Sequence, residues 1–304
     1  MFLRHRQESD ELRLYRYLSA RMTLSVKDQQ HYVFLEKGFE GEIAFDRMVD
    51  RLDAEFIILN DLLLETQGNF FQIDKLLIFG DNISMFEVKN YEGDYYIEND
   101  IWYSIIGNEI KNPLDQVKRS DSLLRRYLQN LRSTMKLNSY LVFVNPEFTL
   151  YQAPKNKTII LPTQLKRLMR EIEKPHGKLN ERHMELAKKI LAGHVEDSPF
   201  RRVPSYQYEE LEKGILCGGC RSIETYLEGG RLVCHSCGNA EDVDSAILRS
   251  VEEFMFLFPE RKVTTNAIHE WCRAVESKKT VRRVLGGAFT LTGHGRNACF
   301  LSKT

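Results

Sequence analysis

The sequence predicts an α/β (α+β) fold: a mixed sheet flanked by helices, then a small cysteine-stapled module, then a small helical module at the C-terminus. Three observations predict it. Strand-sized apolar runs between positions 56 and 106 are broken by turn signals. Stretches of helical periodicity stand on either side of them. Two Cys-x-x-Cys pairs follow at positions 217–237.

Residues 1–35 read as a helical lead-in, rich in Leu, Arg and Tyr. Gly38-Phe39-Glu40-Gly41-Glu42 opens an amphipathic helix whose apolar positions are Ile43, Phe45, Met48, Val49 and Leu52. Phe56–Leu64 is a first strand. Phe70–Phe79 and Ile83–Lys89 flank Gly80-Asp81-Asn82, a hairpin signal. Tyr95–Ile106 is further strand, reversing near Asn99-Asp100. Asn112-Pro113 starts a helix with Leu114, Val117, Leu124, Leu128 and Leu131 on one stripe. Tyr140–Val144 and Thr158–Leu161 are short strands, and Pro162 starts a basic helix to about Glu173. The mixed-sheet core thus occupies 36–173. Residues 174–214 form a connector with a helix at Asn180–Leu191, then Ser198-Pro199 and Val203-Pro204. The cysteine module spans 215–240 and the C-terminal module 246–304.

Charge is distributed in blocks. The 304 residues carry 43 basic and 43 acidic side chains, a net of zero that by itself argues against a phosphate-binding partner. Residues 1–110 carry a net of −10, 111–202 a net of +10, 203–245 a net of −5 and 246–304 a net of +5. Such asymmetry is a partner signal. Hydrophobic residues at 42% exclude a disordered chain. The polar start lacks the apolar core of a signal peptide, and the densest apolar run, Leu76–Phe79, is strand-sized. The expectation is a cytoplasmic protein with no membrane partner, in which clustered cysteines hold metal rather than disulfides.

Strand alternation points to a site. Asp74 lies on one face of its strand with Gln72. Glu87 and Lys89 share a face with Ile83 and Met85. A hairpin turning on Gly80-Asp81 sets position 74 opposite position 87, so Asp74, Glu87 and Lys89 converge. Acids and a lysine within otherwise apolar strands are costly unless paired or ligating. Two adjacent carboxylates suit Mg²⁺ or Mn²⁺, and a nearby lysine suits a water or a phosphate. A structural Glu–Lys pair on an acidic hairpin is the plain alternative.

Five segments in order then carry a resemblance. They are Gly38-Phe39-Glu40-Gly41-Glu42, Gln72-Ile73-Asp74, Phe86-Glu87-Val88-Lys89-Asn90-Tyr91-Glu92-Gly93, Trp102, and Asn112-Pro113-Leu114-Asp115-Gln116. Together, over about residues 36–150, they resemble the NERD (nuclease-related) domain of the restriction-endonuclease-like PD-(D/E)xK superfamily. Ile73 stands where a proline often precedes the motif aspartate. The resemblance implies a restriction-endonuclease-like core in which Asp74 and Glu87 hold Mg²⁺ (or Mn²⁺), Lys89 serves the attacking water, and Glu42 and Gln116 complete the site. It leaves oligomeric state open, a homodimer included.

In the basic block, Arg119, Arg125 and Arg126 are expected to form a phosphate track, although a solvated helix face explains each one singly. Cys217 and Cys220, then Cys234 and Cys237, have the spacing of a four-thiolate site, and the segment resembles a zinc ribbon turned at Glu228-Gly229-Gly230. Four thiolates leave no place for substrate, so zinc would be structural; two redox dithiols are the alternative. Residues 246–304 read as helix, turn, basic helix and hairpin, the order of a winged helix-turn-helix module. Lys278, Lys279, Arg282 and Arg283 would contact nucleic acid, and Cys272 and Cys299 are plain cysteines. The expected function is Mg²⁺-dependent hydrolysis of nucleic-acid phosphodiesters, DNA favoured. The rivals are a non-catalytic DNA-binding or regulatory protein with an inactive nuclease fold, and a zinc-stabilised scaffold.

Overall fold

In a computed structural model the described residues are 1–155, 157–196, 202–295 and 298–302. Ser198-Pro199 lies outside them. The elements are β1 (Phe2–Arg4), α1 (Asp10–Arg21), α2 (Val26–Val49), β2 (Ile57–Thr66), β3 (Asn69–Ile78), β4 (Asn82–Lys89), β5 (Gly93–Glu98), β6 (Ile101–Ser104) and β7 (Glu109–Ile110). Then come α3 (Pro113–Asn130), β8 (Lys136–Phe143), β9 (Phe148–Tyr151), β10 (Ile159–Ile160), α4 (Leu165–Ile172) and α5 (Glu181–Ala192). The remainder is β11 (Thr225–Glu228), β12 (Arg231–Cys234), β13 (Ala240–Asp242), α6 (Val243–Leu257), α7 (Thr265–Cys272), α8 (Lys278–Ala288), β14 (Phe289–Thr292) and β15 (Cys299–Ser302). The chain forms two compact units. One comprises residues 1–8 and 33–201, the other 9–32 and 202–304.

The first unit is built on a six-stranded mixed sheet in the order β1-β2-β3-β4-β8-β10. The β2–β3 and β3–β4 pairs are antiparallel, while β1–β2, β4–β8 and β8–β10 are parallel. One face buries Leu77, Phe86, Val88 and Val142 against Phe45 and Val49 of α2 and Leu168 of α4. The other buries Leu76, Ile78, Ile83 and Met85 against Leu114, Leu124 and Leu128 of α3 and Ile190 of α5. The expected mixed sheet flanked by helices is therefore present. A second sheet, β7-β6-β5-β9, takes β5 to β7 from the crossover between β4 and β8 and β9 from the segment after β8. Its β5–β6 reversal falls at Asn99 and Asp100, with φ of 51° and 64°, the left-handed pair that a tight hairpin requires.

Several expected elements shift. Residues 1–35 are not all helical, because Phe2–Arg4 adds a parallel edge strand to β2. Gly38 and Gly41 do not open a helix; they lie inside α2. A Cβ at Gly41 would stand 2.5 Å from the Asn90 Cβ and 3.3 Å from Val144 Cγ2. The glycine there permits close approach of α2 to the end of β4 and is not a helix-start signal. The helix at Asn112-Pro113 starts as expected, with Asn112 Oδ1 accepting from the Leu114 amide at 2.9 Å.

In the second unit, β11, β12 and β13 form an antiparallel ribbon turned at Gly229 and Gly230, with φ of 56° and 80°. Helices α6, α7 and α8 bury Ile247, Phe254, Ile268, Trp271 and Leu285 together. Arg21 of α1 makes a buried ion pair with Glu253, Nε to Oε1 at 2.6 Å, and stacks over Trp271. Helix α8 runs through Gly286 and Gly287 to Ala288. The β14–β15 hairpin follows it, and Val263, between α6 and α7, bridges Phe300 of β15. The order is helix, helix, basic helix and hairpin. Arg296 and Asn297 lie outside the described residues.

Candidate active site

The β3–β4 ladder pairs Ile78 with Ile83, Leu77 with Ser84, Leu76 with Met85 and Lys75 with Phe86. At the next position the acidic side chain replaces the backbone as partner: Asp74 Oδ2 accepts the Val88 amide hydrogen at 2.7 Å. Asp74 and Glu87, which the alternation sets on one face, are 6% and 3% exposed. Lys89 Nζ donates to Glu87 Oε1 at 2.7 Å and to Gln116 Oε1 of α3 at 3.1 Å. Gln116 sits in the first turn of α3 because the Asn112 cap fixes where that helix begins.

Glu42 reaches the same place from α2. Arg6 holds it there. The guanidinium Nη1 donates to Glu42 Oε2, Nε donates to Asp46 Oδ2 at 2.7 Å, and Nη2 donates to the Asp74 carbonyl at 2.8 Å. Asp46 is also paired with Lys75 Nζ at 2.9 Å, on the far face of β3. Arg6 is a site residue that sequence reasoning missed. It lies in a short N-terminal strand-and-loop stretch that carries no motif, and only chain folding brings it 36 positions along to Glu42.

These side chains line one cleft of about 760 Å³. Its floor holds Glu42, Gln72, Asp74, Glu87, Lys89 and Gln116, and its walls hold Val33, Phe34, Lys37, Tyr91, Tyr95, Ile110 and Lys111. Burial, and then the neighbouring Asp74 charge, push both Glu42 and Glu87 up to about 8. Burial also raises Asp74, against the opposing pull of Lys89, the Val88 amide and Arg6. Burial pulls the Lys89 ammonium down, but the Glu87 and Asp74 charges outweigh it and hold it above its ordinary value. The floor is thus short of positive charge, and a divalent cation would meet that shortage.

The basic side chains expected beside the site are placed differently. None of Arg119, Arg125 and Arg126 lines the cleft. Arg119 donates to the Phe70 carbonyl at 3.3 Å, Arg125 is held by Asp121 at 2.7 Å and by the Leu137 carbonyl at 2.9 Å, and Arg126 is exposed. The cations on the cleft wall are Lys37 and Lys111. Lys111 belongs to the basic block and directly precedes the Asn112 cap, a position the sequence offered. In the second unit, Lys278 donates to Asn266, Arg283 makes a two-pronged pair with Asp244 at 2.6 Å, and Lys279 and Arg282 are exposed.

The four cysteines 217, 220, 234 and 237 come together with all ligand atoms within 4.8 Å of one another. Cys217 and Cys237 sulfurs are 3.6 Å apart and Cys220 and Cys234 sulfurs 3.5 Å, close to the ~3.8 Å edge of a tetrahedron built on Zn–S bonds of ~2.3 Å. The Gly219 amide points at Cys217 Sγ at 3.3 Å, and Gly238 adopts φ of +71° in the second knuckle. This is a cluster fit to hold a structural metal ion.

Among the described residues, no helix is long and apolar enough to cross a membrane. No curated protein and no solved structure matches the chain. Residues 37–144, which run from within α2 to just past β8 and carry Glu42, Asp74, Glu87, Lys89 and Gln116, match the family model of the nuclease-related domain, NERD.

Proposed function

We propose that the first unit hydrolyses phosphodiester bonds of nucleic acid, DNA in the first instance, with a divalent cation held by Asp74 and Glu87. The observation that carries this reading is the meeting of Asp74, Glu87, Lys89, Glu42 and Gln116 in one cleft. When bound, Mg²⁺ or Mn²⁺ supplies Lewis-acid polarisation of the phosphate and a water of lowered pKa. Asp74 and Glu87 are the donors because they are buried carboxylates of neighbouring strands, β3 and β4, on one face of the sheet. The Lys89 ammonium, fixed between Glu87 and Gln116, orients the attacking water and offsets charge growing on the phosphoryl oxygens. Glu42 and Arg6 act as positioning residues: Arg6 grips the Asp74 main chain and Glu42 together. In the second unit, zinc on Cys217, Cys220, Cys234 and Cys237 staples a ribbon too small to fold on its apolar contacts alone. Lys279 and Arg282 on α8 are the free cations offered to a phosphate backbone. Lys278 and Arg283 give up their present partners to join them.

The test is a cleavage assay on DNA and RNA with Mg²⁺ or Mn²⁺, using Glu87→Ala and Lys89→Ala beside the parent. Cleavage that needs the cation and is lost in both variants supports the reading. Equal cleavage by parent and variants defeats it, and salt-dependent binding without any cleavage would identify a non-catalytic binder instead.

A further inference from the structure

The cleft is not acidic throughout. Phe34, Tyr91 and Tyr95 line it together with the carboxylates. Phe34 projects from α2 with 73% of its surface exposed, a position where an apolar ring gains nothing from burial. Tyr91 and Tyr95 stack on each other with centroids 5.5 Å apart and extend the aromatic wall. Lys37 lies one helical turn from Phe34 on the same cleft wall, and its partner, Glu92, is an exposed carboxylate at 2.9 Å that a phosphate could replace. Alternating ring faces and cations beside a phosphate-cleaving floor is the chemistry of a single strand: bases stack while the backbone follows the charge. The depth of the site agrees. Asp74 and Glu87 are nearly buried, so the backbone must bend down to meet them. A volume of about 760 Å³ is in the ~300–1,000 Å³ range of small-ligand pockets, room for a few nucleotides of a flexible strand.

We propose that the cleft binds an unpaired polynucleotide strand, with bases stacked on Phe34 and on the Tyr91–Tyr95 pair and the scissile phosphate set down on the acidic floor. This rests on the phosphodiesterase reading for what happens to the strand, but the binding claim can be tested apart from it. The binding probe is full-length Glu87→Gln protein, which cannot turn over, titrated in Mg²⁺ with fluorescein-labelled oligothymidylate, oligouridylate and a blunt duplex, read by anisotropy. Tighter binding of either single strand than of the duplex is expected. Adding Phe34→Ala should weaken single-strand binding about 5- to 100-fold. Phe34→Trp should restore it with quenching of the new indole, whereas Phe34→Leu should not. Because Phe34 is exposed, the folded state tolerates all three. Duplex bound as tightly as single strand, or Phe34→Leu binding as well as the parent, overturns the proposal. Cleavage of duplex alone by the unsubstituted protein would overturn it while leaving the phosphodiesterase reading intact. Single-strand binding that depends on Phe34, without cleavage of any substrate, would do the reverse.

Discussion

Asp74, Glu87 and Glu42 are costly to keep ionised where they stand, and that cost explains what surrounds them. Asp74 and Glu87 are buried and Glu42 half-buried; all three are raised, Glu42 and Glu87 to about 8, and Lys89 and Arg6 return only part of the lost solvation. Removing a cation from this set should therefore hurt more than a surface charge would. Arg6→Ala strands Glu42 beside Asp74 and leaves Asp46 with Lys75 as its remaining cation, and a loss of about 3–5 kcal/mol is expected by chemical denaturation, as for one partner of a buried pair. Lys89→Ala should lower kcat about 10²- to 10⁴-fold under saturating Mg²⁺ with little change in KM, the mark of a group that acts on the reaction's charge and proton movements. A rise in KM alone would move Lys89 to a binding role. In the α8 group, the bidentate Arg283–Asp244 pair predicts that Arg283→Ala weakens nucleic-acid binding less than Arg282→Ala, since Arg282 has no such competitor among the described residues.

At the scale of elements, helix α2 offers a paired test. Gly38 and Gly41 are three residues apart on the same helix, and both cost helix propensity. A Cβ at Gly38 meets nothing within 4 Å, so Gly38→Ala should stabilise by up to about 1 kcal/mol. At Gly41 the added methyl collides with Asn90 near its backbone, and the overpacking cost of about 1–3 kcal/mol outweighs the gain in propensity. Opposite shifts in Tm would show that Gly41 serves the contact between α2 and the end of β4, and hence the position of Glu42. Two shifts of the same sign would remove that argument. The ribbon β11–β13 poses a different question. Its apolar contribution to the core is small, so zinc should be the larger part of its stability. Cys220→Ser should lower the zinc content from one per chain and open the ribbon to protease, while α3 and the first sheet keep their hydrogen-exchange protection.

For the whole molecule, the raised carboxylates set a pH dependence. A group whose pKa is higher folded than unfolded binds more protons in the folded state, so stability falls as pH rises. For Glu42 and Glu87 the window runs from about 4.5 to about 8. Without added Mg²⁺, Tm should therefore drop across that window, and Mg²⁺ or Mn²⁺ should restore more of it at the alkaline end. Double replacement by Gln should flatten the slope; an unchanged slope would place its origin elsewhere. The charge blocks read differently once folded. Part of the −10 at the start is the cleft floor, but Arg6, from the same block, already offsets some of it. Part of the +10 that follows is committed to local pairs such as Arg125 with Asp121.

Local order was largely legible because it is set by neighbours in sequence. Apolar alternation marked the strands, the Asn112-Pro113 cap marked α3, and the glycine turn of the ribbon fell at Gly229-Gly230. The facing of Asp74 and Glu87 followed from period-two geometry and one hairpin turn. The Arg125–Asp121 pair was legible too, since four residues on a helix are neighbours, but a count of basic residues passes over it. The rest depended on contacts between distant segments. Arg6 clamping Glu42, Gly41 admitting Asn90, and Phe34 lining one cleft with the acids each join positions tens of residues apart. Sequence by itself determined which residues could be acid, thiolate or core, because side-chain chemistry and periodicity are local properties. The tertiary structure alone decided which of them share a cleft, because closing a long loop is driven by packing of the whole sheet and leaves no local signature.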